Sequence, residues 1–414
     1  MPSSTALAPA DRLFWEIAAR YPTRPMVCAL YLELAAAPDR ARLERRLHDL
    51  AVAHPRLAAA LVVDHGAPRW RPAHAPALAC STDDAADHPA RLARLTPALG
   101  APLPEGGPAW AIEVLAGPTA RVHGVLLRWH HALSDAEGML DLLTELTDPE
   151  DSPPAPEGPD ERKPTIADAR PPGPLARLRR ILQRLRGAPR AGGDVGGARI
   201  DYRDLHVPLA PHHLSALATA LGVLPHDLFV GTVAHALHNL GLDGPTTTVH
   251  APLSARPRGA PVLLGNHGHP LHVVVDGPRE RPGDLAAALR ALGAANAAAV
   301  ATAAPPPLAL LRLLPHLPRR AFERTLARAP RFIANYLPWS GAPRRLAGAP
   351  ILALHGFAPL LPFRGCTVAA IPYAGHLRLT LATDPAIHPD PAPIDGALVD
   401  AFAALAALAG VAGV

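Results

Sequence analysis

Two adjacent histidines, His130 and His131, with Asp135 four residues after the second, are the residues of this chain best suited to chemistry. An imidazole titrates near neutrality, so a positioned histidine can take a proton from a hydroxyl or amine as that group attacks an electrophile. The nearby carboxylate offers either a second proton acceptor or an ion-pair partner. In VHGVLLRWHHALSDAEGMLDL the apolar run Val125, Leu126 and Leu127 leads into the pair. Ser134, Asp135 and Glu137 then supply helix-start chemistry before Met139, Leu140, Leu142 and Leu143 resume at helical spacing. The pair therefore sits on a strand-to-helix connection. If the strand geometry persists to its end, the two rings point to opposite faces, one as catalyst and one as brace.

Histidine is abundant here, 22 in 414 residues, so an HH pair is expected by chance about once. The chain carries such a control. His212 and His213 in PLAPHHLSAL follow no strand and have no acid at the matching offset, which reads as a surface pair at a helix start. What sets His130 and His131 apart is the combination of strand, pair and placed aspartate.

The elements that must position them form a first α/β unit over residues 1–150. It has a start region around Asp11–Ile17, a strand near Met26–Leu34, and a helix from about Asp39 with Leu43, Leu47, Leu50 and Ala51 on one face. HPRLAAALVVDHGAPRW reads as strand, turn and strand. A hairpin around Gly117-Pro118 then delivers the histidines, and its antiparallel pairing excludes a simple alternating Rossmann plan. Residues 151–198, rich in Pro, Gly and Arg, read as a linker. Within it the 174–190 segment has Leu175, Leu178, Ile181, Leu182 and Leu185 on one side, with Arg177, Arg179, Arg180, Arg184, Arg186 and Arg190 around them. Such a helix either packs on its own protein with the arginines in water or lies on an anionic membrane or lipid-body surface. Residues 199–414 form a second unit, with helices from Pro211 and Pro225 broken at Gly222, then a strand in TTTVHAPLSARP.

Composition narrows the function classes. Hydrophobic residues make up 49% of the chain, enough for sizeable cores, while aromatics are 4%, too few for a base-stacking surface, so nucleic acid is not an expected partner. Lys163 is the only lysine, and the net charge of +4 is spread apart from the arginine segment. Cys28, Cys80 and Cys366 are odd in number and lack C-x-x-C spacing, which predicts neither a disulfide framework nor a metal site. No apolar stretch near 20 residues and no basic-then-apolar start is present, so the expected location is the cytoplasm.

HHALSDAEG resembles the H-H-x-x-x-D-G signature of the chloramphenicol acetyltransferase-like superfamily, which includes peptide-synthetase condensation domains and bacterial wax ester synthase/diacylglycerol acyltransferases. Here Ala136 stands where the glycine usually follows the aspartate, with Gly138 two residues on, and a turn of positive φ would cost an alanine. Further blocks are similar to the wax ester synthase family in order. They are Pro252, Ser254, Arg256, Gly265 and Asn266 in HAPLSARPRGAPVLLGNHGHPL, Asn335 and Pro338 in ANYLPWSGAPRR, and Tyr373 to Gly375 in PYAGHLRLTLATD. PHDLFVGTVAHAL keeps Asp227 of the family's asparagine-aspartate helix but carries His226 in place of the asparagine.

The resemblance implies two pseudo-symmetric acyltransferase-like α/β lobes, with mixed, largely antiparallel sheets flanked by helices and the active site in a channel between them. It implies transfer of an acyl group from an acyl-CoA thioester to a small-molecule alcohol, with His131 as general base, His130 as its brace and Asp135 paired to Arg256 across the lobes. Gly138, Asn335 and Trp339 become candidate substrate-binding residues, Asn335 on a loop shaping the oxyanion side and the bulky Trp339 narrowing the channel. A thioester is already activated, so no metal or other cofactor is expected beyond the thioester co-substrate. The alternative is a condensation-type enzyme of natural-product biosynthesis that takes its acyl group from a carrier protein to form an ester or amide. A third reading is a non-catalytic binding module that kept the fold. Replacing the six arginines of the 174–190 segment with Gln should leave turnover of a soluble short-chain substrate unchanged. A collapse of turnover in a folded variant would put that segment in the site.

Overall fold

The computed structural model describes residues 4–82, 88–116, 123–150, 197, 199–256, 261–277, 285–301, 312–339 and 342–410. The 174–190 segment, the rest of the linker up to 196 and the Gly117-Pro118 turn lie outside them. Strands in the first part of the chain are β1 (Thr5–Ala6), β2 (Val27–Leu34), β3 (Ala59–Asp64), β4 (Ala67–Pro72), β5 (Leu78–Ser81), β6 (Trp110–Leu115), β7 (His123–His130) and β8 (Asp148–Pro149). Those that follow are β9 (Asp201–His206), β10 (Thr246–Ser254), β11 (Gly268–Asp276), β12 (Phe332–Tyr336), β13 (Arg344–Leu346), β14 (Ala349–Phe357), β15 (Cys366–Ala370) and β16 (Arg378–Thr383). They build a seven-stranded sheet in the order β5-β6-β7-β2-β14-β13-β8, a six-stranded sheet in the order β11-β10-β12-β15-β16-β9, and a small sheet β1-β4-β3.

Pairing is largely antiparallel, as the hairpin leading to the histidines suggested. β6 and β7 are antiparallel with Trp110 opposite Trp129, and β7 pairs antiparallel to β2 with His130 opposite Val27. Parallel neighbours occur at β5-β6, β10-β12 and β12-β15. Helix α1 (Pro9–Arg20) precedes β2, and α2 (Arg40–Ala53) starts where the Asp39 side chain accepts the Arg42 N–H. The leucine stripe of α2 is buried at Leu43, Leu47 and Leu50, each such side chain contributing about 1.5–3 kcal/mol. Helix α3 (His88–Leu99) and α4 (Ala136–Leu146) complete the first lobe. In the second lobe the helix Pro225–Asn239 is buried almost all round, and its Phe229 ring lies between Tyr336 and Phe402 at 5.4 and 5.6 Å. It follows Pro211–Leu221, which ends where Gly222 takes a left-handed conformation at φ 70°. No single helix among the described residues is long and apolar enough to cross a membrane.

The expected division into residues 1–150 and 199–414 needs correction. β13 and β14 come from the later part of the chain yet belong to the first sheet, where β14 runs antiparallel to β2 with Leu354 opposite Leu32 and Phe357 opposite Ala29. Without β14, β2 would be an edge strand with a buried, apolar sequence and unpaired backbone groups. Periodicity marks ILALHGF as a strand; it carries no information about which sheet receives it.

Charge is also buried between the lobes. Arg24, in the loop before β2, pairs with Asp384 after β16, and their side chains are 1% and 0% exposed. Asp384 also accepts the N–H groups of Gly197 and Ala386 at 2.9 and 2.8 Å. Removing the cation leaves a buried carboxylate without its partner, so Arg24→Ala should cost about 3–5 kcal/mol by equilibrium urea denaturation. Arg40→Ala, which breaks only the exposed Arg40–Glu44 pair on α2, should leave the urea midpoint unchanged.

Candidate active site

β7 ends at His130, and His131 lies in the first position of the turn that leads to α4. Strand alternation therefore stops one residue short of deciding where His131 points. Its backbone N–H donates to the Met26 carbonyl at 2.7 Å, and the Asn266 side-chain N–H donates to its carbonyl at 2.7 Å. Its ring stacks flat on Phe14 of α1, with centroids 3.7 Å apart and planes 4° apart. Nδ1 is shut away from water with no regular hydrogen-bond partner among the described residues. Burial lowers the pKa of His131, against its own backbone carbonyl, the charge of Asp135 and Asn266, so the ring is neutral at neutral pH.

His130 is held differently. Its Nδ1 accepts the Ala132 backbone N–H at 3.0 Å, which fixes the turn that carries His131. Burial, reinforced by the neighbouring His131, pushes its pKa down to about 4. A ring whose Nδ1 accepts a hydrogen bond must keep that nitrogen unprotonated, so geometry and charge state agree.

Asp135 is the N-cap of α4. One carboxylate oxygen accepts the Gly138 N–H at 3.1 Å, and the other accepts Arg256 Nη1 at 2.9 Å and the His267 N–H at 2.9 Å. Arg256 Nη2 lies 2.7 Å from the first oxygen, which completes a two-pronged pair across the lobes. Arg256 also donates to the carbonyls of Leu263 and Gly265 at 3.0 and 3.2 Å. Burial raises the Asp135 pKa, but Arg256 and the N–H donors of His267 and Gly138 outweigh it and hold the carboxyl below its usual range. The ion pair expected from the sequence is present, and it leaves Asp135 no free face for substrate.

Ala136, Gly138 and Asn335 depart from what the sequence suggested. Ala136 does not need positive φ, because the residue after the aspartate is the first residue of α4 and helical backbone suits alanine. Gly138 is not free to line a substrate channel: a Cβ there would stand 2.4 Å from Ser134 Oγ, 2.8 Å from the Leu263 carbonyl and 2.9 Å from Arg256 Nη2. It is the glycine that lets the Arg256 loop approach the helix. Trp339 is engaged by α4, its indole N–H donating to the Leu140 carbonyl at 3.0 Å and to Thr144 at 2.9 Å, with the Tyr373 ring 5.2 Å away and tilted by 34°. Asn335 lies inside β12 opposite Ala369 and not on a loop, and among the described residues no hydrogen bond joins it to His131.

Other residues complete the seat of His131. Asp11 on α1 is 1% exposed and accepts both the backbone and the side-chain N–H of Asn266 at 2.9 Å, so one asparagine ties α1 to the His131 carbonyl. Burial raises the Asp11 pKa, opposed by Asn266 and then by Arg56 and His267. Gly265, at φ 108°, turns the loop so that its carbonyl accepts the Asp135 N–H at 3.2 Å. Phe14 and Asp11 were legible only as helix-start residues, yet they stand three apart, one helical turn, on a single face. That face meets the histidine.

The wax ester synthase/diacylglycerol acyltransferase catalytic domain matches residues 7–222, more than half the chain, and the WS/DGAT C-terminal domain matches residues 287–406. The chain belongs to the wax ester synthase/diacylglycerol acyltransferase family. It is accordingly an acyltransferase. Among curated proteins none matches it. A wax ester synthase/diacylglycerol acyltransferase from Marinobacter aquaeolei VT8 shares the fold at 15% identity and TM-score 0.66, covering 98% of this chain and 100% of that one. The first condensation domain of the calcium-dependent antibiotic synthetase, solved with a substrate analogue, does so at 18% identity and TM-score 0.69, covering 98% and 96%. The starter condensation domain of rhizomide synthetase, solved with C8-CoA and Leu-SNAC, gives 15% identity and TM-score 0.67, covering 98% and 94%. The two-lobed architecture expected from the sequence is thus that of this acyltransferase family and of condensation domains.

Asp135→Ala removes one partner of a buried pair and should cost about 3–5 kcal/mol of stability. Because the folded pKa of Asp135 is depressed, its contribution is complete above the ordinary carboxylate value of about 3.9 and is lost as pH falls through the lower folded value. The melting temperature of wild type should therefore drop more steeply than that of the variant as pH falls below about 4. Parallel pH curves would show that the pair contributes nothing to folding.

Proposed function

We propose that this acyltransferase moves an acyl group from an acyl-CoA thioester to an alcohol, forming an ester, with His131 as the general base. The observation that carries the proposal is the seat of His131, a neutral imidazole held at the junction of both lobes while the neighbouring carboxylate is fully occupied by Arg256. In the reaction the neutral ring takes the hydroxyl proton as the alcohol oxygen bonds to the thioester carbonyl carbon. The tetrahedral oxyanion then collapses, the C–S bond breaks, and the imidazolium returns the proton to the departing CoA sulfur. Nδ1 is sealed against protein, which leaves Nε2 as the transferring nitrogen. Asp135 acts by placing the turn and not by accepting a proton.

The condensation-type alternative is supported by the likeness to condensation domains at TM-scores of 0.69 and 0.67. It differs in the carrier of the acyl group and in the acceptor, and both chemistries use a base that deprotonates a nucleophile. Cytoplasmic action is supported by the free state of Cys28, Cys80 and Cys366. Contact with a membrane or lipid body through residues 174–190 remains part of the proposal, on the strength of the arginine-rich amphipathic sequence.

A mass-spectrometric screen of acyl-CoA and acyl-carrier thioesters against mixed alcohols and amines tests the reading. Ester formation from acyl-CoA supports it, and amide formation from a carrier thioester alone transfers the assignment to the alternative. In the same assay His131→Ala should lose about 10²–10⁴-fold in kcat with the fold intact. His130→Ala should act mainly through stability, since its ring braces the backbone of Ala132. The base works unprotonated and its pKa is lowered, so the acid limb of kcat/KM should lie below the ordinary histidine value of about 6.5. Full activity of both single variants would exclude histidine base catalysis.

A further inference from the structure

A second histidine-carboxylate cluster lies apart from the proposed active site. Glu33 on β2, His88 at the start of α3 and His355 on β14 each offer a ligand atom, and those atoms all lie within 4.8 Å of one another. Along β2 the active-site end is Val27, opposite His130, and Glu33 is six residues further on, opposite Gly124. At about 3.3 Å per residue the two places are roughly 20 Å apart.

The hydrogen-bonding problem of the cluster is specific. His88 touches Glu33 through Nδ1, and its Nε2 lies 2.9 Å from Asp204 Oδ2 on β9. His355 repeats the pattern, with Nε2 3.5 Å from Glu33 Oε1 and Nδ1 3.5 Å from the same Asp204 oxygen. The two rings stack with centroids 4.6 Å apart. Each imidazole thus faces a carboxylate at both nitrogens. At His355 a neutral ring, with one N–H and one lone pair, sets one of its nitrogens against a carboxylate lone pair. The His355 side chain is fully buried, and neither of its nitrogens has a well-formed hydrogen bond. An unsatisfied polar group at such depth requires an explanation.

We propose that Glu33, His88 and His355 bind a divalent transition-metal ion of the zinc class. His88 Nδ1, His355 Nε2 and a Glu33 oxygen are the ligands. Each ring then carries its proton on the other nitrogen, and both N–H groups turn to Asp204, the arrangement in which a carboxylate orients metal-bound histidines. Arg378 on β16 holds that carboxylate, its Nε donating to Asp204 at 2.8 Å. Ligand atoms of a tetrahedral zinc stand about 3.3 Å from one another, so the 3.5 Å His355–Glu33 separation already fits. The His88–Glu33 contact must open by roughly an ångström. Imidazole with carboxylate is a donor set suited to zinc, and Glu33 and His88, 17% and 19% exposed, leave a way in from solvent.

Such an ion is structural. Glu33 and His355 belong to the first sheet, while Asp204 and Arg378 belong to the edge of the second, so the ion pins α3 and both sheets at the far end from His131. The sequence bears no mark of such a site for a clear reason. The ligands come from three separate segments, Glu33 and His88 55 residues apart and His355 far later in the chain, without the close spacing by which metal motifs are recognised.

The proposal is independent of the acyl-transfer reading and is tested on the full chain, with any affinity tag removed and metals stripped by EDTA. Zn²⁺ is titrated against a chromophoric competitor, and bound zinc is counted by mass spectrometry after dialysis. The expected result is one tightly held zinc per chain and a raised melting temperature. Glu33→Gln and His355→Ala should weaken binding by about 100-fold or more, and Asp204→Asn by about 10–100-fold. A double His212→Ala, His213→Ala variant, which removes the histidine pair at the start of the helix Pro211–Leu221, should change nothing. If the cluster variants do not fold, wild type decides: protein stripped with EDTA should take back one zinc per chain and recover the higher melting temperature when Zn²⁺ is restored, and a melting temperature that does not respond to Zn²⁺ overturns the proposal. A dissociation constant no tighter than about 10 µM, or zinc lost with the His212 and His213 pair, overturns the proposal.

Discussion

The interaction on which the rest of the site depends is the buried Asp135–Arg256 pair. A charge removed from water is tolerated only when each of its donors or acceptors is answered. Asp135 is answered by Arg256, the His267 N–H and the helix N-terminus at Gly138, while Arg256 reaches two backbone carbonyls of the loop at residues 263–265 as well. Those partners leave little freedom in the loop. Its next residue is Asn266, and a loop fixed by Arg256 brings that side chain onto the His131 carbonyl. The position of a histidine in one lobe is thus set by an arginine in the other, and the absence of a side chain at Gly138 makes the approach possible.

The three titratable groups of the motif share a loop but not a charge state. Asp135 is anionic because Arg256 outweighs its burial, and His130 is neutral because burial and a neighbouring imidazole both disfavour charge. His131 is also neutral, but its ring is gripped by a flat stack on Phe14 and by its backbone, not by hydrogen bonds through both nitrogens. A base must be able to change protonation without dismantling its support. Of the three, His131 alone meets that condition.

Much of this was legible in the sequence because it is local. The strand ending on His130, the helix start at Asp135, the leucine face of α2 and the break at Gly222 are each written within a few residues. The Arg256 pairing was available only through family resemblance, since nothing in spacing joins residues 121 apart. Asp11 and Phe14 were missed as site residues because a helix-start acid and an aromatic on an apolar face have ordinary explanations. Asn335 was misplaced for the converse reason. Its motif marks a segment, and a segment does not say whether a residue lies on a loop or inside a strand. The Glu33–His88–His355 cluster had no local mark at all.

The insertion of β14 between β2 and β13 bears on how the chain is made. A ribosome delivers β2 and β7 long before β14, so for most of synthesis the buried central strand of the first sheet has one bare edge. Pairing across more than three hundred residues is slow to find, and an exposed apolar edge recruits other chains in the meantime. The histidine motif is therefore complete in sequence well before the lobe that holds it can close. A fragment truncated after the first family domain would carry both histidines and lack both the strand and the arginine that seat them.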